Sequence, residues 1–382
     1  MSSKCDVLLV HPGASWSTAD VFNGLKFGMQ YHGAKVGTYQ LDVRISRSAR
    51  WLRWNWTRSG KDGAPPNPRD AQYHAASGVI ERACRLDPEW VFIVSGMYFD
   101  LDLIKFLKRC GFKVAILLTE SPYDDDAQVE VVKHLDIAFT NERSSVERLR
   151  AGNPNVHYLP HAWHPAIHVP QLIGNETDVA AHDVLFIGTG FTERIAFLKA
   201  VDWQGLDLAL YGYWTKLGSR ATLRTAVRGG VVPNASAAQL YQRARINLNL
   251  HRTSKGVTAN AETHIDHAES LNPRVFELAA CGAFFVTDSR AELIDIFGAG
   301  VIPTFETPEE LSEQLARFKD DEKARRLIAG AAHECIKPHA WTARAETVLA
   351  TLNGSIEPCR FTTDAKASST SAHPGPALPS SS

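Results

Sequence analysis

No apolar run in the 382 residues approaches the roughly 18–20 needed to span a bilayer, so no membrane-crossing helix is expected. No C-x-x-C pair occurs among Cys5, Cys84, Cys110, Cys281, Cys335 and Cys359, which lie far apart. A disulfide framework or thiolate zinc site is therefore not expected, most of these thiols are small apolar fillers, and a reducing cytoplasm is the expected compartment. Net charge is almost absent: Lys+Arg 41 against Asp+Glu 42 leaves -1, so no global field draws in nucleic acid or anionic lipid. Met1 to Asp6 lead directly into the strand-like run Val7–Val10 without a cleavage-site pattern, and no signal peptide is expected. A three-glycine dinucleotide fingerprint is missing too. The turn His11-Pro-Gly-Ala-Ser-Trp lacks it, and Gly188-Thr-Gly190 is followed by Glu193 where the third glycine belongs. That counts against NAD or FAD.

What is there is ordinary for a globular protein: 44% hydrophobic and 22% charged residues exclude collagen-like, coiled-coil and wholly disordered chains. The length points to two domains. Short apolar strands at Cys5–Val10, Lys35–Leu41, Trp90–Val94, Lys113–Leu118 and Ile137–Thr140 alternate with amphipathic segments, the rhythm of a parallel sheet covered on both faces. A polar stretch from Pro165 to about His182 reads as a linker. The rhythm then restarts with strands at Val184–Ile187, Asp207–Tyr211, Ile246–Leu250 and Ala283–Thr287. The expected fold class is α/β, with two Rossmann-like doubly wound domains facing a central cleft. Boundaries fall at 1–168 for the first domain and 179–340 for the second, with a C-terminal helix over 341–359. The Ser/Thr/Ala/Pro-rich stretch 360–382 has too little apolar surface to fold and is expected to be a disordered tail.

Chemistry concentrates in Glu269-Ser-Leu-Asn-Pro-Arg-Val-Phe-Glu277. Asn272 suits an N-cap and Pro273 the first helical position, so a helix starts here, and a helix start offers free N–H groups to a phosphate. Arg274 is unfavourable at that end of the dipole unless an anion is bound. Glu277 lies among apolar neighbours, and a carboxylate there can accept from the two hydroxyls of a ribose. Glu269 precedes the cap, within reach of a sugar. The plainer alternative makes Glu269 a solvated acid and pairs Glu277 with Arg274 or another base. Val275 completes the candidate helix start. Gly188 and Gly190 let backbone approach a phosphate, Arg194 is a candidate counter-charge, and Tyr211 and Tyr213 end a strand where a base would stack. For Arg194 a surface position, and for the tyrosines simple packing, fit the sequence equally well.

These residues, with Ala280-Cys-Gly-Ala-Phe284, Thr287-Asp288 and the opening Asp183-Val-Leu-Phe-Ile-Gly-Thr-Gly-Phe-Thr-Glu-Arg194, resemble the C-terminal domain of CgeB/YkvP-like glycosyltransferases of the GT-B fold. The resemblance covers about 155–340. It implies a nucleotide-diphosphate sugar donor, most often a UDP-sugar, as co-substrate rather than cofactor. It also implies Glu277 on the ribose, Glu269 on the donor sugar, and Asn272 to Arg274 on the diphosphate.

Sugar transfer needs orientation and leaving-group stabilisation, which cations and helix starts supply without a metal. His251, His264, Asp266 and His267 fit no standard zinc spacing, and no metal is expected. For a general base, His11 at the end of the first strand is the first candidate, ahead of Asp100, Glu120 and His161. Between Arg44 and Arg69 lie Arg44, Arg47, Arg50, Arg53, Arg58, Lys61 and Arg69 against the single acid Asp62, interleaved with Trp51, Trp54 and Trp56. Cations with flat aromatics suit a polyanionic acceptor such as hydroxymethylated DNA, with Arg47, Arg50, Trp51, Arg53 and Trp54 as the contacts. An amphipathic helix with Trp51 and Trp54 in the core is the competing reading. The sequence thus points to a metal-independent cytoplasmic glycosyltransferase. The alternatives are a nucleotide-sugar epimerase on the same fold or a non-catalytic carbohydrate-binding structural protein.

Overall fold

The computed structural model describes residues 5–13, 17–171, 181–253 and 267–355. The N-terminal half runs β1 (Val7–Val10), α1 (Ser17–Tyr31), β2 (Val36–Tyr39), α2 (Leu41–Arg58), α3 (Pro68–Leu86), β3 (Trp90–Val94), α4 (Leu101–Arg109), β4 (Lys113–Leu118), α5 (Asp125–Val132), β5 (Ile137–Thr140), α6 (Val146–Arg150) and β6 (Val156–Tyr158). The second half runs β7 (His182–Ile187), α7 (Thr192–Ala200), β8 (Leu208–Tyr211), β9 (Val227–Gly229), α8 (Asn234–Arg243), β10 (Ala244–Asn249), α9 (Pro273–Ala280), β11 (Phe285–Asp288), α10 (Ala291–Phe297), β12 (Thr304–Phe305), α11 (Pro308–Lys319), α12 (Glu322–Ile336) and α13 (Trp341–Leu352). The short strands β9 and β12 have no counterpart in the sequence reading. A three-residue and a two-residue strand are too brief to show a period.

Each half holds one parallel sheet, in the orders β2-β1-β3-β4-β5-β6 and β12-β11-β10-β7-β8-β9. Central strands such as β3, Trp-Val-Phe-Ile-Val, are buried along their whole length because helices cover both faces. Chain order reverses direction between β1 and β3 in the first sheet and between β7 and β10 in the second. At such a switch point the loops leaving the strands splay apart and open a crevice at their carboxyl ends. The loops after β7 and β10 therefore face the loops after β1 and β3 across a cleft.

The C-terminal helix does not stay with the second sheet. Trp163 and Ala340 form a parallel bridge, Trp341 N–H donates to the Trp163 carbonyl at 3.0 Å, and α13 then packs on α1. Gly24 and Gly28, one turn apart on α1, permit this. A Cβ at Gly24 would lie 2.3 Å from the Trp341 ring, and one at Gly28 would lie 2.4 Å from the Trp341 carbonyl oxygen. Gly24→Val is expected to destabilise the protein by about 1–3 kcal/mol through overpacking. A urea midpoint equal to that of the parent would contradict it. The part of the linker at 172–180 and the proposed tail lie outside the described residues.

Candidate functional site

A cavity of about 980 Å³ lies between the two sheets, walled by residues of both. On its second-half wall, α9 begins as its sequence dictates: Asn272 is extended and its side chain accepts from Val275 N–H at 3.4 Å, with Pro273 next. His251, just beyond β10, fixes this tip. Its Nδ1 lies 2.8 Å from Asp288 and its Nε2 accepts the Asn272 N–H at 3.1 Å, so the ring is neutral with its proton on Nδ1. Burial holds its pKa down against the Asp288 charge, in keeping with that tautomer.

The helix tip consequently has little left to offer an anion. Asn272 N–H goes to His251, Pro273 has none, and Val275 N–H goes to the cap. The cations beside it have more. Arg194 on α7 is buried rather than at the surface, giving Nη1 to the Thr189 carbonyl at 3.1 Å and Nη2 to the Leu250 carbonyl at 2.5 Å. Burial, with Arg274 beside it, lowers its pKa to about 9. Arg274 reaches across Gly188 to give Nη1 to Asn249 Oδ1 at 3.0 Å, its guanidinium 5.0 Å from the centre of the Phe186 ring. Glycine at 188 leaves room for this guanidinium, since a Cβ there would lie 2.8 Å from Arg274 Nη2 and displace it. Arg290 gives Nη1 to the Ala268 carbonyl at 2.8 Å. In Arg194, Arg274 and Arg290 alike, the buried Nε has no hydrogen-bond partner among the described residues. All three side chains wall the cavity. Three cations on one cavity wall suit an anionic ligand such as a diphosphate.

Glu277, one turn into α9, also walls the cavity, and its Oε2 accepts from the Tyr241 hydroxyl at 3.2 Å. Arg274 is committed to Asn249, so the pair that the plainer sequence reading allowed is not formed. Gly188, Tyr213, Asn272 and Pro273 lie on the same wall. Gly190 instead seats the Trp214 ring, which a Cβ there would meet at 2.4 Å. Tyr211 packs against Gly229 and faces His182, and Val275 is core.

Two of the expected catalytic residues are placed otherwise. Glu269 does not face the cavity: its carboxylate bonds Arg143 Nε at 2.9 Å, and Arg143 also holds Asp295 at 2.5 Å. Arg143 comes from the turn after β5 in the first half, and nothing local in the Glu-x7-Glu spacing foretells that partner. His11 is buried against Phe22, and its Nδ1 accepts the Gly13 N–H at 3.1 Å, 3.7 Å from Asp42. Burial lowers its pKa, with Asp42 opposing, but the ring is engaged beneath the cleft rather than within it. Asp100 caps α4 and pairs with Arg69. Asp-x-Asp runs occur at Asp100–Asp102 and Asp124–Asp126, both at helix starts. Among the described residues no group of three His, Cys, Asp or Glu could hold a metal, while His264 and Asp266 lie outside them.

Sequence reasoning gave His161 little weight and passed over Asn141 and Thr119. All three wall the cavity from the first half, with His161 Nδ1, Asn141 Oδ1 and Thr119 Oγ1 buried and without a hydrogen-bond partner among the described residues. Burial, Arg344 and His251 push the His161 pKa down to about 3, so it is a neutral acceptor or donor throughout the physiological range. The halves are latched around these groups. Glu142, 4% exposed, accepts the N–H groups of Glu269 at 3.0 Å and Ser270 at 3.3 Å, and Ser270 Oγ donates to the Tyr158 hydroxyl at 3.1 Å. Glu120 pairs with Arg252 at 2.9 Å, whose guanidinium lies 4.0 Å from the centre of the Tyr123 ring.

Solved structures share this arrangement over nearly the whole chain. Sucrose-phosphate synthase from Thermosynechococcus elongatus superposes with a TM-score of 0.61 at 12% identity, covering 92% of this chain and 99% of that one. Anabaena HepE in complex with UDP-glucose gives 0.60 at 11% identity over 91% and 99%. The fold is GT-B. Within this GT-B chain, residues 194–350 match a family model described as glycosyl transferase-like. Over 210 residues the chain is 28% identical to the spore protein CgeB of Bacillus subtilis (strain 168), covering 53% of this chain and 65% of CgeB. The match thus spans less than two thirds of that relative's length.

The arginine- and tryptophan-rich segment forms α2, of which only Leu41 and Ser48 are buried. It packs on α3 and little else. Trp51 and Trp54 are 50% and 55% exposed, not core as the amphipathic reading had it. Trp51 stacks on His74 and Arg58 covers Trp54. Arg47, Arg50 and Arg53 are exposed alongside them.

Proposed function

We propose that this GT-B protein is a glycosyltransferase that takes a sugar from a nucleotide-diphosphate donor, most often a UDP-sugar, and passes it to an acceptor hydroxyl. The observation that carries the reading is the trio of arginines walling the cleft, beside a carboxylate one turn inside α9. In transfer the bond between the anomeric carbon and the diphosphate oxygen breaks, and negative charge grows on the leaving diphosphate. Arg194, Arg274 and Arg290 on that wall supply positive charge where the leaving diphosphate develops its negative charge, which is where electrostatic catalysis gains most. Glu277, its Oε2 already set by Tyr241, accepts from the ribose. His161, Asn141 and Thr119 offer neutral polar atoms to a sugar on the opposite wall. Anabaena HepE, crystallised with UDP-glucose, supports a uridine donor.

A thermal-shift series against nucleoside diphosphates and their sugars tests this. A donor at a hundred times its dissociation constant stabilises by about 2.7 kcal/mol. No shift with any of them would defeat the reading. A shift without turnover would favour a binding protein, and an isomerised donor with no free nucleotide would favour an epimerase.

On the acceptor side, α2 supports a polyanion such as hydroxymethylated DNA, since its exposed tryptophans stack on flat rings and its arginines neutralise phosphates. Reversing Arg47 and Arg50 to Glu should weaken duplex or single-strand binding at least tenfold and flatten its salt dependence. Absence of any salt-sensitive affinity in the parent would remove nucleic acid from consideration.

A further inference from the structure

Asp20 sits in the first turn of α1 and walls the cavity from the first half, opposite Glu277 and Tyr241 of the second. Its contact on that side is the amide of Asn234, at the start of α8. The orientation of that amide is imposed from behind. His164 N–H donates to His168 Nδ1 at 3.0 Å, so the His168 proton resides on Nε2 and goes to Asn234 Oδ1 at 2.9 Å. Asn234 therefore turns its NH₂ away from His168, and both Asn234 and Asp20 wall the cavity, the amide favouring the charged form of the carboxyl. His168 is buried, and this relay from the linker through α8 to an α1 carboxyl joins the two halves beside the carboxylate assigned to the ribose.

We propose that Asp20 is a second nucleoside-recognising carboxyl, supplied by the opposite half, which donates to the pentose that Glu277 accepts from. The pentose is then gripped from both sides. The inference rests on the donor reading above.

A carboxyl can donate only while it carries its proton. Burial chiefly, and the Glu277 charge next, raise the Asp20 pKa to about 7, with the Asn234 hydrogen bond opposing. The α1 dipole also opposes, since it favours an anion in the first turn. The other charged groups near α1 are committed elsewhere. Arg344 of α13 holds the Pro160 and His161 carbonyls and His339, and His164 packs on Phe27. His168 acts only through Asn234, and Tyr241 is a neutral donor to Glu277. The sign follows from linkage: a bound diphosphate sugar favours the protonated form, so affinity is full below the raised pKa and falls above it.

The test is calorimetric titration of the full chain with UDP-glucose, a diphosphate diester with no proton to lose in the range, at pH 6 and pH 8. The parent should lose about tenfold in affinity between them. Asp20→Asn, which keeps a donor without a titrating proton, should bind equally at both, and Asp20→Ala should bind weakly at both. A pH profile of Asp20→Asn identical to that of the parent, while Glu277→Ala weakens binding at least tenfold, overturns the role of Asp20 and leaves the donor reading standing. Failure of the parent to bind at either pH overturns both. Should Asp20→Asn fold poorly, Asn234→Ala removes the amide that favours the charged carboxyl, so the fall in affinity should move to higher pH, and an unmoved profile there counts against the proposal.

Discussion

Glu277→Ala is expected to weaken binding of UDP and UDP-sugars by about ten- to a hundredfold, as loss of hydrogen bonds to a charged group costs about 1.5–3 kcal/mol. The carboxylate is held ready rather than shared: its partner is the Tyr241 hydroxyl, and Arg274 is turned to Asn249. Truncation also strands the Tyr241 hydroxyl, so Glu277→Gln is the cleaner probe. It keeps an acceptor for Tyr241 while removing the charge, and should bind with intermediate affinity. Calorimetric dissociation constants equal across the parent and both variants would show that Glu277 does not touch the donor.

Arg274→Met should lower kcat/KM by about 10²–10³, the usual consequence of removing one preorganised group that stabilises a leaving charge. Methionine retains a flexible apolar stem to lie over Phe186, so the fold should survive. A parallel loss of binding affinity should appear with nucleoside diphosphates and their sugars but hardly with the free nucleoside, which has no phosphate for the guanidinium to meet. Gly188→Ala should act in the same direction more weakly, since its Cβ displaces the same guanidinium without removing it. Equal losses for nucleoside and diphosphate would place Arg274 in a structural role.

Much of the second half was legible because its signals are local. Apolar strands of even length, the Asn272-Pro273 helix start and the glycine turn after β7 all act within a few residues, and each forms where its chemistry predicts. Glu269 illustrates the limit. Its spacing from Glu277 suggested a sugar contact, but its partner Arg143 lies 126 residues away in the first half of the chain. His11 ends the first strand as expected, yet the ring turns inward because Gly13 N–H and Phe22 occupy it. For Arg194 the sequence left surface and site equally open, and the tie is broken by the Thr189 and Leu250 carbonyls that receive it.

By itself the sequence determined two α/β units, the capped start of α9 and the cation-rich helix α2, since periodicity, capping and composition depend on near neighbours. Tertiary structure alone decided which side chains share the cleft. The latching of Glu142 to the loop before α9, the return of α13 onto α1 and the meeting of Asp20 with Asn234 all join residues a hundred or more positions apart. Such contacts depend on how two sheets dock, and docking is set by packed surfaces rather than by any short stretch of chain.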